Sequence, residues 1–241
     1  PLSDSSLAVL LQLQTGMSIT NEEAKAVHNR VMSNPKLERH YEWYERGKVQ
    51  EGHENYDKAI GYYGKAIEKN QEYSGAYYGR GNCYQKLEKY ELAIENFNKA
   101  IEYNKNWEAE SSLYLAYFNR GFAYFDLEPQ NNENLAMALK DLSKSIELNS
   151  TDANAYYHRG LVNQCLGNLK EAIADFKKSN EIDTDNNNLI KSNSVTSLIK
   201  CYTELGEQEE IKKWRKKSLE LAEENADFNI SNNKNDNKTM L

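Results

Sequence analysis

The sequence predicts an all-α solenoid of antiparallel helix pairs, and three observations lead there. Small and large apolar residues recur 34 residues apart: Ala59, Tyr63 and Ala66 return as Ala93, Phe97 and Ala100, and Ala138, Leu142 and Ser145 return as Ala172, Phe176 and Ser179. A second series, Gly47, Gly81, Gly121 and Gly160, places an Arg before each Gly and aromatic residues before the Arg. Within a half-unit the apolar residues keep helical spacing, as in Ala59, Ile60, Tyr63, Ala66 and Ile67. A fixed period of this length marks hairpins that cannot bury their own apolar face alone, whereas stacked neighbours build a continuous core that curves into a superhelix with a concave surface.

Taken in order, residues 1–39 form an extension. Ser6 to Leu13 is apolar but lacks the basic flank of a secretory signal. Pro1 is not an initiator residue, and Met17 is the candidate native start. Thr20 and Glu23 have capping-box spacing ahead of the stripe Ala24, Val27 and Val31, which Asn34-Pro35 ends, so a short helix lying on the open end of the first repeat is expected. Four repeats then span residues 40–73, 74–113, 114–152 and 153–186. The Gly spacings of 40 and 39 around Gly121 imply insertions of six and five residues, one of them the polar run Asp126 to Asn134, read as a longer turn. Gly81 and Ala93 are the expected contact points of one hairpin, where a large side chain costs about 1–3 kcal/mol through overpacking. Asn70, Asn104, Asn149 and Asp183 supply the turns between repeats. Residues 187–224 read as a degenerate fifth repeat that caps the stack, with Tyr202, Leu205 and Gly206 aligned on Asn163, Leu166 and Gly167, and with Ile211, Trp214, Leu219 and Leu221 inward. The Asn- and Lys-rich residues 225–241 are expected to be disordered.

This pattern resembles the tetratricopeptide repeat family. The matching residues are the aromatic four before each Gly (Trp43, Tyr77, Tyr117, Tyr156), the Gly itself, Tyr84 and Tyr124 three after it, and the later alanine–aromatic–small motif. Gln50 and Asn163 depart from the expected Tyr, and no repeat ends in Pro, since the three prolines stand at 1, 35 and 129. The resemblance implies a right-handed superhelix whose first helices line a concave groove.

On that reading the helical stripe six and three residues before each Gly, and one and four after it, faces a partner. The candidate site residues are Tyr44, Lys48, Tyr78, Asn82, Gln85, Leu115, Phe118, Phe122, Phe125, Tyr157, Leu161 and Gln164. Phe122 and Phe125 form an apolar floor that wants a cover, with Asn82 and Gln164 placed to bond the backbone of a bound peptide. The carboxylate clamp used by heat-shock co-chaperones of this family resembles a set of Lys, Asn, Asn, Lys and Arg. Here the corresponding positions are Tyr78, Asn82, Asn119, Asn154 and His158 in one frame and Tyr44, Lys48, Gly79, Leu115 and Asn119 in the other. The first frame keeps both Asn but no fixed cation, so the donors an anionic terminus needs are missing and the clamp is rejected. The recurring Arg46, Arg80, Arg120 and Arg159 are expected to lie along their hairpins and pair with local carboxylates, the alternative being a column that binds an acidic ligand.

Chemistry is not signalled. His28, His40, His53 and His158 lack metal-ligand spacing, there is no glycine-rich phosphate loop, and Cys83, Cys165 and Cys201 are too scattered for a disulfide framework, which fits a reducing setting and a cytoplasmic location. No cofactor is expected. A net charge of -7 and a pI near 5.3 argue against general nucleic-acid binding, and no apolar run is long enough to span a membrane. The Lys/Arg cluster from Lys212 to Lys217 is read as a solvated face. Thr239-Met240-Leu241 resembles a PDZ-domain ligand, and Asn229 and Asn237 head glycosylation sequons that matter only in a secreted chain. The expected function is a non-catalytic scaffold or adaptor that binds a peptide segment of a partner protein. The alternatives are a chaperone-like binder of an aggregation-prone partner, an accessory domain of a larger enzyme, and self-association.

Overall fold

The structure, a computed structural model, describes residues 40–104, 107, 111–182 and 188–236. The expected N-terminal helix with its capping box, the apolar run at Ser6, the candidate start at Met17, the turn residue Asp183 and the C-terminal Thr239-Met240-Leu241 all lie outside the described residues.

Among the described residues every regular element is a helix: α1 (His40–Gly52), α2 (Tyr56–Lys69), α3 (Ser74–Lys86), α4 (Tyr90–Tyr103), α5 (Ser111–Leu127), α6 (Asn132–Leu148), α7 (Ala153–Cys165), α8 (Leu169–Ile182), α9 (Asn188–Leu205) and α10 (Gln208–Asp236). Each helix packs on its neighbours in sequence, and each odd-numbered helix also touches the next odd-numbered one. Among the described residues no helix contacts another more than two places away, so the fold is an all-α solenoid of hairpins with the first helices side by side on one face.

The recurring Gly earns its place through packing. An added Cβ at Gly81 would come within 2.7 Å of the Phe97 ring, and one at Gly160 within 2.6 Å of Phe176. Tyr63 is flanked on two sides, since a Cβ added at Gly47 or at Gly79 would come within 2.6 Å or 2.5 Å of its ring, and its hydroxyl donates to Glu51 Oε2 across the hairpin at 2.5 Å. The partner of Gly81 is therefore the aromatic one turn beyond Ala93, rather than Ala93 itself. In the third hairpin, where Leu142 replaces the ring, the atoms nearest a Cβ at Gly121 include backbone, Ala138 O at 3.2 Å.

The turns use several devices. Asn131 and Asp152 cap α6 and α7, each accepting from two backbone N–H groups. Asn70 and Asn149 accept from the amides of Glu72 and Thr151, and Asn104 adopts the left-handed conformation. Gly167 and Gly206 carry positive φ at the intra-hairpin turns, where Glu54 and Glu88 take the same conformation in the first two repeats. The insertion expected as a longer turn is mostly absorbed as helix: α5 and α6 have 17 residues each, against 13 and 14 in α3 and α4, and only residues 128–131 are left between them. The cap at Asn131 lets α6 start early.

At the C-terminal end α9 and α10 cover the last full hairpin. Leu198, Cys201, Tyr202 and Ile211 pack on Ala172, Ile173 and Phe176. Leu221 is also buried, but Leu219, expected inward, is 67% exposed, since two residues of α10 turn it about 160° away from Leu221. The α10 backbone continues to Asp236, into the segment expected to be disordered; no Gly or Pro interrupts the chain after Gly206.

Candidate partner-binding groove

The odd-numbered helices enclose a groove of about 610 Å³ between the first and fourth repeats. Its apolar wall comes from α5, where Phe118 and Phe122 stack one helical turn apart with ring centroids separated by 6.4 Å. His158 of α7 leans on both rings, at 5.4 Å from Phe118 and 4.6 Å from Phe122. Its polar wall is an amide bridge between repeats: Asn119 Nδ2 donates to Asn82 Oδ1 (2.8 Å) and to the Tyr78 hydroxyl (3.0 Å). Gln85 and Asn154 complete the amides, and Glu51, Glu88, Asp126, Lys86 and Tyr90 the remaining rim.

Electrostatics follow from partial burial. Desolvation pushes the His158 imidazole down to about 4, so it is neutral near pH 7, and its Nδ1 is buried without a hydrogen-bond partner. Gln85 Nε2 is a second buried donor without a partner. Burial raises the Glu51 carboxyl above the ordinary carboxylate range against the pull of Tyr63 and Asn82, and raises Asp126 against that of Tyr90. Burial likewise pushes the Cys83 thiol up to about 12, which leaves it unreactive. Among the described residues no group of three or more His, Cys, Asp or Glu side chains is placed to hold a metal ion.

Of the sequence-predicted residues, Asn82, Gln85, Phe118 and Phe122 line this groove. Tyr78 reaches it through its hydroxyl, while its ring packs on Phe97 and Trp107. Tyr44 packs on Tyr63 and Tyr73, and Lys48 lies over the Tyr44 ring and pairs with Glu45. Leu115 is half-buried and outside the groove lining. Phe125 packs onto the core around Leu135, Ala138, Leu142 and Val162, as Phe118 does while also lining the groove, and Tyr157 and Leu161 pack onto the core around Phe176. Gln164 reaches toward Glu204 at 3.5 Å. Glu51 and Asn154 stand on the helical stripe itself, four after Gly47 and six before Gly160, although they were not among the candidates; the residues off the stripe are Asn119 and His158, two positions before their Gly, with Lys86, Glu88, Tyr90 and Asp126, and the comparison with the clamp had already singled out Asn119, Asn154 and His158.

The arginine column divides. Arg120 and Arg159 form two-pronged pairs with the buried Asp141 and Asp175, with N···O distances of 2.6 to 2.9 Å. Arg80 instead donates to Asn96 at 2.7 Å, and Arg46 stacks over Trp43. The basic cluster of α10 is paired within its own helix, Lys212 with Glu209, Lys213 with Glu210, and Lys216 and Lys217 with Glu220.

A stack of hairpins, three of which lock a glycine against a ring of the second helix and a fourth against Leu142, defines a helical-repeat solenoid. Residues 74–106 and 153–186 match models of the tetratricopeptide repeat, so the chain carries repeats of that type in these two segments. No curated protein matches the sequence. Among solved structures the chain is similar to MamA at 25% identity and a TM-score of 0.65, over 75% of this chain and 96% of that one. It shares the fold of YrrB, described as a TPR protein with an unusual peptide-binding site, at 23% identity and a TM-score of 0.60, over 74% of this chain and 84% of that one. It also shares the fold of TTC0263, a thermophilic TPR protein of Thermus thermophilus, at 21% identity and a TM-score of 0.54, over 80% of this chain and 96% of that one. Among the described residues no helix is long and apolar enough to cross a membrane.

Proposed function

We propose that this protein is a non-catalytic scaffold that holds a peptide segment of a partner protein in the groove between its first helices. The observation that carries this reading is the pairing of two half-buried, stacked phenylalanines with buried amide and imidazole groups that lack partners. An apolar side chain of a peptide gains by covering Phe118 and Phe122, and Gln85 Nε2, whose orphaned state costs about 1–3 kcal/mol, gains an acceptor when its side chain turns out to a peptide carbonyl. The repeats support interaction as the general role, and the groove supports the choice of face. Replacing Phe122 by Ser is the direct test, because Phe122 is a wall of the groove while Phe125 belongs to the core and its loss would confuse binding with stability. With circular dichroism unchanged, Phe122→Ser is expected to lose the partner that the wild-type chain retains in a pull-down. Retention of the same partner by the variant would place the binding surface elsewhere.

A further inference from the structure

Resting on the reading of the groove as a peptide site, we propose that its occupant carries a lysine or arginine about two residues from an apolar side chain, the apolar group covering Phe118 and Phe122 and the cation meeting Asp126 and Glu88. The placement follows from one stripe of α5. Phe118, Phe122 and Asp126 stand four residues apart in turn, so they follow each other along one helix face, apolar, apolar, then acidic. Phe122 and Asp126 are about 6 Å apart along the helix axis at 1.5 Å per residue. An extended peptide covers that distance in about two residues.

Charge complementarity selects the partner. Three carboxylates line the groove against one ammonium, that of Lys86, and among the described residues none of the three forms a salt bridge. Glu88 and Asp126 lie close enough that Glu88 further disfavours the ionised form of Asp126, a repulsion that a ligand cation relieves. Glu51, held by the Tyr63 hydroxyl and facing Lys86 and Lys48, adds a third carboxylate on the α1 side of the groove. Buried groups without partners in the same groove, His158 Nδ1 and Gln85 Nε2, point independently to a ligand bearing hydrogen-bonding groups. An acidic segment or a free carboxylate terminus meets repulsion from the same three side chains.

The experiment is selection of a random-peptide phage library on the full chain, followed by fluorescence anisotropy with the enriched peptides on wild type, Phe122→Ser and the double variant Glu88→Gln/Asp126→Asn. Enrichment of peptides with Lys or Arg near an apolar residue, weakened about tenfold by the double variant and by added salt, supports the proposal. Enriched peptides that lack a cation and ignore the double variant, but still fail on Phe122→Ser, overturn the cationic occupant and leave the groove reading intact. Peptides that bind Phe122→Ser as tightly as wild type overturn both. A library that yields no binders, with the chain dimeric by light scattering, also overturns both and makes a second copy the occupant.

Discussion

A glycine that recurs at a fixed place in four hairpins is a statement about its neighbour. At Gly160 the neighbour is Phe176, fully buried, and a methyl group built on the glycine would sit 2.6 Å from the ring. A close-packed interior cannot yield that distance without moving the ring or the helix, so Gly160→Ala is expected to lower stability by about 1–3 kcal/mol. Gly61 is the internal control. It lies within α2 with nothing within 4 Å of an added Cβ, and Gly61→Ala should raise stability by about 0.5–1 kcal/mol by removing backbone freedom from the unfolded chain. Urea unfolding of both variants decides the matter; a Gly160→Ala chain as stable as wild type would mean the contact is looser than its geometry. The small-against-large pairing was legible in the 34-residue spacing, but not its register. The eye pairs Gly81 with the alanine that shares its period, whereas the ring of Phe97, one turn further, is what reaches across. Side-chain length, which a spacing does not carry, decides which of two residues on one face makes the contact.

Between helices the arginine column does the fastening. Arg159 holds Asp175 of its own hairpin with two bonds and reaches Ser143 of the preceding repeat at 3.3 Å, while Asn163 also donates to Asp175. Asp175 is 5% exposed, so Asp175→Ala strands a guanidinium and an amide together and should cost about 3 kcal/mol. In the second repeat the same place is held by Asn96, a neutral acceptor for Arg80, and Asn96→Ala should cost only about 1 kcal/mol. Thermal unfolding monitored at 222 nm reads the order; equal losses would show that the charge of the partner is immaterial. The recurrence of Arg was visible in the sequence, but the partners of Arg80, Arg120 and Arg159 stand on the other helix in a column of Asn96, Asp141 and Asp175 that changes chemistry from repeat to repeat, and Arg46 stacks on Trp43 of its own helix instead. The groove shows the same limit. A four-position stripe collected Phe118 and Phe122 together with Phe125, Tyr157 and Leu161, which turn into the cores, and it omitted Asn119 and His158. The face a helix shows depends on how the next hairpin is rotated against it, and that rotation comes from packing that the sequence pattern does not print.

For the whole molecule, the contact map is one-dimensional: each helix touches helices one or two places away and, among the described residues, no others. Stability should then be a chain of neighbour terms rather than one global unit. A chain ending at Ile182 tests this, because it removes α9 and α10 while leaving four hairpins whole. The cut uncovers Ala172, Ile173 and Phe176 where Leu198, Cys201, Tyr202 and Ile211 had lain, and takes Ser194 from its bond with Ser179. An apolar face of that kind at the end of a stack invites self-association, so the truncated chain should run as an oligomer by light scattering. Its hydrogen-exchange protection should collapse in α7 and α8, weaken in α5 and α6, and stay near wild type in α1 to α4, since no contact carries the loss that far. Replacing Ile173 and Phe176 by polar residues in the truncated chain would not repair it, because Phe176 is also the ring that Gly160 closes on, and the last hairpin would open from inside. Uniform loss of protection across all eight remaining helices would instead mean that the stack unfolds as a single cooperative body, and the neighbour-by-neighbour account of its stability would have to be given up.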